Sequence, residues 1–463
     1  MEIFDQNEEM KNHIKINMPE NARKILSVIH SAGFEAYVVG GCVRDSILGR
    51  APEDWDITTS AKPQQIKALF KRTIDTGIEH GTVTVMLGKE GFEITTYRID
   101  GSYEDNRHPS DVSFTSSLEE DLQRRDFTIN AMCYNEETGL VDMYGGMHDI
   151  RERTIRCVGD PVKRFGEDAL RIMRAVRFSA QLDYSIEEAT RKAIVTLAPT
   201  LKKISAERIQ TELSKLIVSK HPEKMMDCYK MGITNIILPE LDKCMDTMQN
   251  HPHHMYNVGE HIIVSVSNIR ADKILRYTML FHDIAKPESL FIDEAGIHHF
   301  HGHPAKGAEM AEKIMKRLKF DKITMNRVCN LVRHHDILMG EDITAYSVRK
   351  AVYEIGEEDF PLIFEIKDAD IMAQSLYQRD EKLGAVNKMR EIYREVVDKG
   401  DCLSLKSLAV HGRDLIEVGV KPGKEIGSIL NAMLMDVLKY PEHNNADYLL
   451  GDANFGRFAV KEG

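Results

Sequence analysis

Cysteine is scarce in this sequence of 463 residues: there are seven, and no two of them form a C-x-x-C pair. That pattern argues against a disulfide framework and predicts free thiols in a reducing cytoplasm. Long apolar runs are also missing, because none approaches the roughly eighteen residues that a membrane span needs. Residues 1–5 are acidic and do not have the layout of a signal peptide. We therefore expect a cytoplasmic protein with no membrane partner.

An overall excess of positive charge is missing as well. The formal net charge is −12 at pH 7, which argues against a uniformly basic nucleic-acid binder. Locally the balance reverses, since residues 151–220 contain fifteen Lys and Arg against nine Asp and Glu. Such a stretch can bind a phosphate backbone, although a solvated helical surface has the same composition. The hydrophobic content of 42% is that of a globular protein, long enough for about two to four domains.

The hydrophobic pattern changes its period along the chain. Between residues 35 and 142, β-branched and aromatic runs alternate with turns, and a helix is predicted near residues 63–70. The runs are residues 37–39, 55–58, 82–87 and 92–97. From about residue 150 the pattern is helical almost throughout. The predicted fold class is therefore α+β, with a small mixed-sheet head followed by an all-α remainder.

The most informative stretch lies just after the first apolar run. Gly40 and Gly41 form a turn there, and the next strand would carry Asp54 and Asp56. Side chains two residues apart on a strand point the same way, so both carboxylates would meet at one place. Mg²⁺ accepts carboxylate oxygens, glycine lets a phosphate approach the backbone, and Arg44 offers a planar cation for phosphate oxygens. Alone, the Gly-Gly pair predicts a turn and D-x-D a solvated strand end, but together they predict a nucleotide and metal site.

This combination resembles the nucleotidyltransferase core of the polymerase-β superfamily. More closely, it resembles the family of class II tRNA nucleotidyltransferases and bacterial poly(A) polymerases. The resemblance implies that the two aspartates hold two Mg²⁺ ions and that the two glycines and Arg44 bind the triphosphate. Residues 124–132 resemble the second motif of the family, in which Arg125 and Asp126 face the nucleotide.

A third carboxylate and a loop complete the predicted head site. Glu93 lies in the last of the four runs and would join the two aspartates if its strand neighbours theirs. Otherwise Glu93 is a glutamate on a solvent-facing surface. Residues 100–116 are polar and rich in turn-forming residues, which predicts a mobile loop beside the site.

Beyond residue 160, four charged residues recur at helical spacing. They are Asp168, Arg171, Arg174 and Arg177. By periodicity alone they follow one face of an amphipathic helix and form ion pairs along it. A carboxylate and a guanidinium could also read the edges of cytosine and adenine and reject uracil and guanine. The E-D-x-x-R string at residues 167–171 resembles the nucleotide-selecting motif of the family, which implies that Asp168 and Arg171 select the base and that Arg174 and Arg177 orient it.

Eleven of the nineteen histidines fall between residues 251 and 335. A single histidine is more often a surface or core residue than a ligand, but this spaced set resembles the HD phosphohydrolase domain. The resemblance implies one metal ion held by His261, His282, Asp283 and Asp370. The extra ligands of two-metal members match His303, His334 and His335. Imidazole and carboxylate ligands suit a divalent transition metal as well as Mg²⁺.

Residues 408–427 resemble the C-terminal segment of bacterial CCA-adding enzymes that contain an HD domain. The resemblance thus covers nearly the whole chain and implies four parts. They are a nucleotidyltransferase head at residues 1–150, a helical neck for nucleotide selection and RNA binding at 151–245, an HD body at 246–375 and a helical tail at 376–463.

The implied reaction is template-independent addition of C, C and A to the 3′ end of tRNA from CTP and ATP, with an accessory phosphohydrolase activity in the HD body. Three alternatives stay open: a poly(A) polymerase, an enzyme that adds only part of CCA, and an RNA-binding scaffold without catalysis. The HD residues and the lack of a basic C-terminal tail argue against the first, and the intact D-x-D argues against the third. The residues that decide the second lie in the 100–116 loop. No obligate protein partner is evident.

Overall fold

The computed structural model describes residues 14–100, 112–338 and 342–458. The chain divides into two compact units, Met1–Ile237 and Leu238–Gly463. The large sheet belongs to the first unit, and the second unit is mainly helical. The predicted domain boundaries at residues 150, 245 and 375 stay predictions.

A seven-stranded sheet is the centre of the first unit. Its strands are β1 Ala36–Val39, β2 Ile57–Thr59, β3 Thr73–Gly77, β4 Thr82–Leu87, β5 Glu90–Thr96, β8 Met132–Asn135 and β9 Gly139–Asp142. Their order in space is β3-β4-β5-β2-β1-β8-β9. Strands β2 and β5 run parallel, and the other neighbours are antiparallel. The predicted mixed-sheet head is confirmed.

Four short strands form two small separate sheets in the first unit. They are β6 Arg98–Asp100, β7 Val112–Phe114, β10 Thr154–Ile155 and β11 Ser185–Ile186. Strands β6 and β7 pair antiparallel and flank the predicted mobile loop. Residues 101–111 of that loop lie outside the described residues.

Eleven helices belong to the described part of the first unit. They are α1 Glu20–Ser31, α2 Gly41–Ile47, α3 Pro63–Leu69, α4 Leu118–Gln123, α5 Gly146–Arg151, α6 Pro161–Glu167, α7 Leu170–Leu182, α8 Glu188–Leu197, α9 Ala206–Ile217, α10 Met225–Lys230 and α11 Thr234–Ile237. Helix α1 packs on β1 through an apolar face that contains Ile25, Leu26 and Ile29. Strand β1 is buried at all four positions because it lies between β2 and β8 and is covered by helices.

One prediction about the head is wrong in detail. Asp54 and Asp56 precede β2 and are not part of it, since that strand begins at Ile57. The Asp56 carbonyl still accepts a hydrogen bond from the Val39 N–H at 3.0 Å. The backbone at Asp56 is therefore tied to the end of β1, which positions the D-x-D segment beside the Gly-Gly turn.

The second unit is built from helices. They are α12 Pro239–Met245, α13 Val258–Asn268, α14 Lys273–Phe281, α15 Lys286–Ser289, α16 His303–Arg317, α17 Lys322–His334, α18 Ala345–Ile355, α19 Phe360–Met372, α20 Arg379–Asp398, α21 Gly412–Glu417, α22 Lys424–Lys439, α23 Ala446–Leu450 and α24 Asp452–Phe458. A hairpin of β12 Phe291–Ile292 and β13 His298–His299 is the exception. No helix among the described residues is long and apolar enough to cross a membrane.

Candidate nucleotide site and candidate metal centre

A cleft of about 680 Å³ opens in the first unit beside the Gly-Gly turn. It is lined by nine of the predicted nucleotide and metal residues, Gly40, Gly41, Arg44, Asp54, Asp56, Arg125, Asp126, Arg174 and Arg177. They come from four separate stretches: the turn and α2, the segment before β2, the stretch after α4, and helix α7. Folding therefore brings most of the predicted head site together.

The turn needs glycine at its first position. Gly40 has φ +81°, a backbone conformation that residues with a Cβ atom rarely adopt. A Cβ atom there would lie 3.3 Å from Nη1 of Arg125, which is tighter than an ordinary contact. The missing side chain lets the Arg125 guanidinium lie directly against the backbone of the turn.

The carboxylates of Asp54 and Glu93 lie near that of Asp56, just before the start of β2. Burial raises the pKa of Asp56, the Arg125 guanidinium lowers it, and the nearby carboxylates of Glu93 and Asp54 raise it further. Glu93 is present because β5 is the parallel neighbour of β2, with Ile57 opposite Ile94. Glu93 could join the two aspartates only if its strand neighbours theirs, and it does. Carboxylates that repel one another suit a hard divalent cation, so this set fits Mg²⁺.

Two partly buried ion pairs hold two arginines that line the cleft. Arg44 donates hydrogen bonds to Asp45 at 2.8 Å and to Asn130 at 2.7 Å. Arg174 donates to the Asp126 carboxylate, also at 2.7 Å. Burial alone would raise the pKa of Asp126, but Arg174, Arg171 and Asn130 together lower the value to about 2.

The predicted single helical face through Asp168 is wrong. Helix α6 ends at Glu167 and α7 begins at Leu170, and Asp168 lies between them in an extended conformation. Its carboxylate accepts a hydrogen bond from the Leu170 N–H at 3.0 Å and another from Arg208 at 2.8 Å. A spacing of three predicts one face only when the helix is continuous, and here the chain breaks at the first residue of the series.

Arg171 also turns away from the cleft. Its guanidinium donates to the Glu167 carboxylate at 2.7 Å and to the Arg124 carbonyl at 2.9 Å. Neither Arg171 nor Asp168 is among the residues that line the cleft, whereas Arg174 and Arg177 are.

Some lining residues were missed by sequence reasoning. They include Arg50, Asn130, Phe178, Lys215, Ser219 and Lys220. The local excess of Lys and Arg in residues 151–220 was the only available signal for the two lysines. Nothing in the local pattern distinguishes Phe178 from an ordinary core residue, because it continues the apolar face of α7.

In the second unit, histidines and aspartates meet in two adjoining groups around Asp283. The first group is His261, His282 and Asp283, and the second is Asp283, His303 and His335. Asp370 joins the first group, with its Oδ1 2.8 Å from Nε2 of His261. The two oxygens of Asp283 serve different groups: Oδ2 lies 3.3 Å from His282, and Oδ1 lies 3.3 Å from His303. Asp283 thus lies between two potential metal positions.

The imidazole rings are oriented as metal ligands are. The Nδ1 atoms of His282, His303 and His335 each lie 2.7 Å from a backbone carbonyl, to which they donate. A neutral ring that donates through Nδ1 presents a lone pair at Nε2. The Nε2 atoms of His303 and His335 nevertheless face each other at 3.2 Å. Two lone pairs at that distance repel unless a proton or a metal ion lies between them, and imidazoles grouped with a carboxylate fit a divalent transition metal.

His334 is a correction to the predicted ligand set. Its Nδ1 donates to the Asn330 carbonyl at 2.9 Å, and neither group contains it. Consecutive helical residues point about 100° apart, and here His335 rather than His334 lies in the cluster. Asp336, which sequence reasoning missed, lies 3.4 Å from His303 and 3.5 Å from His335. The signal was a second His-Asp pair, formed by His335 and Asp336.

A pocket of about 450 Å³ opens onto the two groups and carries two lysines. Lys286 lies 2.7 Å from Oδ2 of Asp283 and donates to Gln249 at 2.9 Å. Lys382 lines the same pocket and donates to Gln374. The pocket therefore combines metal-type ligands with two ammonium groups.

Sequence families cover three parts of the chain. Residues 36–156 match the poly A polymerase head domain, residues 183–245 match the family described as "Probable RNA and SrmB- binding site of polymerase A", and residues 304–452 match tRNA nucleotidyltransferase domain 2. The CCA-adding enzyme of Levilactobacillus brevis is 36% identical over 419 residues, which is 90% of this chain and 93% of the relative. The chain belongs to the family of CCA-adding enzymes.

Two further CCA-adding enzymes support that assignment. The protein of Streptococcus suis is 53% identical over 224 residues, 48% of this chain and 54% of the relative. The crystal structure of the Bacillus stearothermophilus enzyme in complex with CTP has a TM-score of 0.68 and 29% identity, covering 90% of this chain and 92% of that one. This protein is thus a nucleotidyltransferase of tRNA processing. Similarity over nine tenths of the chain to a CCA-adding enzyme favours CCA addition over the alternatives of a poly(A) polymerase and of a scaffold without catalysis.

Proposed function

We propose that the cleft of the first unit is where this CCA-adding enzyme transfers CMP and AMP from CTP and ATP to the 3′ end of tRNA. The single observation that carries this assignment is that Asp54 and Asp56 line one cleft with several arginines, beside the strand that carries Glu93. The bound CTP in the Bacillus stearothermophilus relative supports a nucleotide as the ligand.

The three carboxylates would hold Mg²⁺. When bound there, the ion would lower the pKa of the attacking 3′-hydroxyl and neutralise charge on the departing pyrophosphate. Arg44 and Arg125 bind oxygens of the triphosphate, which orients the α-phosphorus toward the hydroxyl. The turn at Gly40 and Gly41 leaves room for the phosphates to approach the backbone.

Selection of the base falls to Asp168 and Arg171. A carboxylate accepts from the amino groups of cytosine and adenine, and a guanidinium donates to their ring nitrogens and to the cytosine carbonyl. Both side chains are engaged by protein partners, Asp168 by Arg208 and Arg171 by Glu167. Base reading therefore requires that these hydrogen bonds be exchanged for bonds to the nucleotide.

Substitution of the aspartates tests the head site. Asp54→Asn and Asp56→Asn should abolish nucleotide addition and change tRNA affinity by less than about twofold, because the phosphate backbone supplies most of the affinity. Asp75→Asn, at an exposed carboxylate on β3, is the matched control and should add nucleotides normally. Near-normal addition by both variants would remove the metal site from this stretch.

A second candidate function is the metal-dependent hydrolysis of a phosphate ester in the HD body. It is favoured by Asp283, whose two oxygens face two different ligand groups. One ion would be held by His261, His282, Asp283 and Asp370, and the other by Asp283, His303, His335 and Asp336. When bound, the ions would lower the pKa of a water molecule and polarise the phosphate. Lys286 and Lys382 bind the phosphate oxygens at the pocket.

Metal analysis and turnover test this activity together. The purified protein should contain two divalent ions per chain and should hydrolyse bis-p-nitrophenyl phosphate or 2′,3′-cAMP in at least one of Mg²⁺, Mn²⁺, Co²⁺ and Ni²⁺. His282→Ala and Asp283→Ala should lose both the ions and the turnover. No turnover with any metal, from protein that is active in CCA addition, contradicts the assignment. The use of tRNA, CTP and ATP supports a cytoplasmic location.

A further inference from the structure

Three guanidinium groups surround one aromatic ring at the floor of the cleft. The central carbon of Arg177 lies 3.9 Å from the centre of the Phe178 ring, that of Arg44 lies 5.0 Å away, and that of Arg174 lies 5.3 Å away. Each distance is within the range of a cation–π interaction. The ring itself is almost fully buried and lines the cleft.

Each of these arginines also has one carboxylate partner. The pairs are Arg44 with Asp45 at 2.8 Å, Arg174 with Asp126 at 2.7 Å and Arg177 with Glu212 at 3.0 Å. The carboxylates come from three separate elements, so none of them brings the three cations together. Phe178 is the group that all three share.

The Arg177–Glu212 ion pair is close but poorly aligned. Nε of Arg177 lies 3.0 Å from Oε2 of Glu212, yet both atoms are buried without a well-aligned hydrogen bond. The same guanidinium lies over the ring of Phe178 at 3.9 Å. Burial and the neighbouring Arg174 cation lower the pKa of Arg177 to about 10. Because the guanidinium groups repel one another, an aromatic ring that attracts all of them stabilises the cluster.

We propose that Phe178 is a positioning residue for the nucleotide, because its ring gathers Arg44 from α2 with Arg174 and Arg177 from α7 before the nucleotide binds. This rests on the proposed function of the cleft. The ring does not touch the reacting atoms. It holds the triphosphate-binding arginine and the base-orienting arginines at fixed separation, so that one nucleotide can engage both sets.

Fluorinated analogues of phenylalanine, which keep the shape of the ring but change its electron density, test the proposal. Fluorine withdraws the electron density on which a cation–π contact depends, with little change in ring volume. Replacement of Phe178 by 4-fluoro-, 3,5-difluoro- and 3,4,5-trifluorophenylalanine should weaken CTP and ATP binding step by step, to about tenfold for the last member. The KM for both nucleotides should rise in parallel, while kcat falls by less than about threefold.

Phe127 provides the matched control. Its ring meets that of Phe178 edge to face at 5.8 Å, and no guanidinium lies over it among the cation–π contacts of the described residues. The same fluorinated series at Phe127 should leave nucleotide affinity unchanged. A flat response at Phe178, or equal slopes at both rings, would overturn the proposal. Failure of the unsubstituted protein to incorporate CMP would instead overturn the proposed function of the cleft.

Discussion

At the scale of single residues, the proposed selection of the nucleotide depends on Asp168 and Arg171. Both are held by neighbouring side chains away from the cleft lining. Asp168 pairs with Arg208 at 2.8 Å and Arg171 pairs with Glu167 at 2.7 Å, and all four side chains are partly buried.

Loss of either selecting residue should relax base discrimination. In Asp168→Ala or Arg171→Ala, incorporation of UTP and GTP relative to CTP and ATP should rise about tenfold to a hundredfold, and correct incorporation should slow. Single-turnover assays with each nucleotide measure both effects. Lys192→Ala on α8, at an exposed lysine paired with Glu188, should behave as wild type. Unchanged discrimination in both variants, with normal folding, would reduce this stretch to a structural element.

At the scale of elements, helix α7 connects the parts of the first unit. At its N-terminus the Leu170 N–H donates to the Asp168 carboxylate, and its buried face contains Leu170, Met173 and Val176. Its arginines reach Asp126 and, on α9, Glu212. The helix is therefore tied by charge to the stretch after α4 and to α9.

The Asp126–Arg174 pair should make the stability of the first unit depend on pH. The folded pKa of Asp126 is about 2, below its ordinary value of 3.8, so its contribution is present above pH 4 and is lost as the pH falls toward 2. Asp126→Asn should cost about 2 kcal/mol near neutral pH. Denaturant unfolding should show the gap between wild type and variant narrowing from pH 5 to pH 3. A gap that stays constant would contradict the pairing.

The sequence predicted those site residues that lie close together in a single short segment. The Gly-Gly turn and the D-x-D segment could be predicted because each motif spans only a few consecutive residues. Glu93 depended on whether β5 pairs with β2, which no local pattern decides. Asp168 was misjudged because the break between α6 and α7 is made by hydrogen bonds from Leu170 and, on α9, Arg208.

The same limit applies to the histidine groups. Their residues were recognised by type and spacing, but the choice between adjacent residues depends on helix rotation. Helix α17 turns His335 toward Asp283 and His334 toward its own backbone carbonyl at Asn330. Asp336 then reaches the second group from beyond the helix end.

At the scale of the whole molecule, the chain carries two separate sets of metal-type ligands, one in each compact unit. The carboxylate set of the first unit suits Mg²⁺, and the imidazole set of the second suits a transition metal. The two activities should therefore be separable by substitution and by chelation.

Separation is checked with one pair of variants. His282→Ala should lose phosphodiesterase turnover and retain CCA addition within about twofold, whereas Asp56→Asn should lose CCA addition and retain turnover. Both assays are run on the same protein preparations. Loss of both activities in either variant, with unchanged thermal unfolding, would show that the two sites act as one.

The most direct test of the central claim is nucleotide addition to tRNA that lacks its terminal CCA, with each nucleotide given alone and then CTP and ATP together. We expect two C residues from CTP alone, no addition from ATP alone, UTP or GTP, and a complete CCA end from the mixture. A tRNA that already ends in CC should gain a single A. Runs of A, arrest after CC in the presence of ATP, or no addition at all would contradict the account.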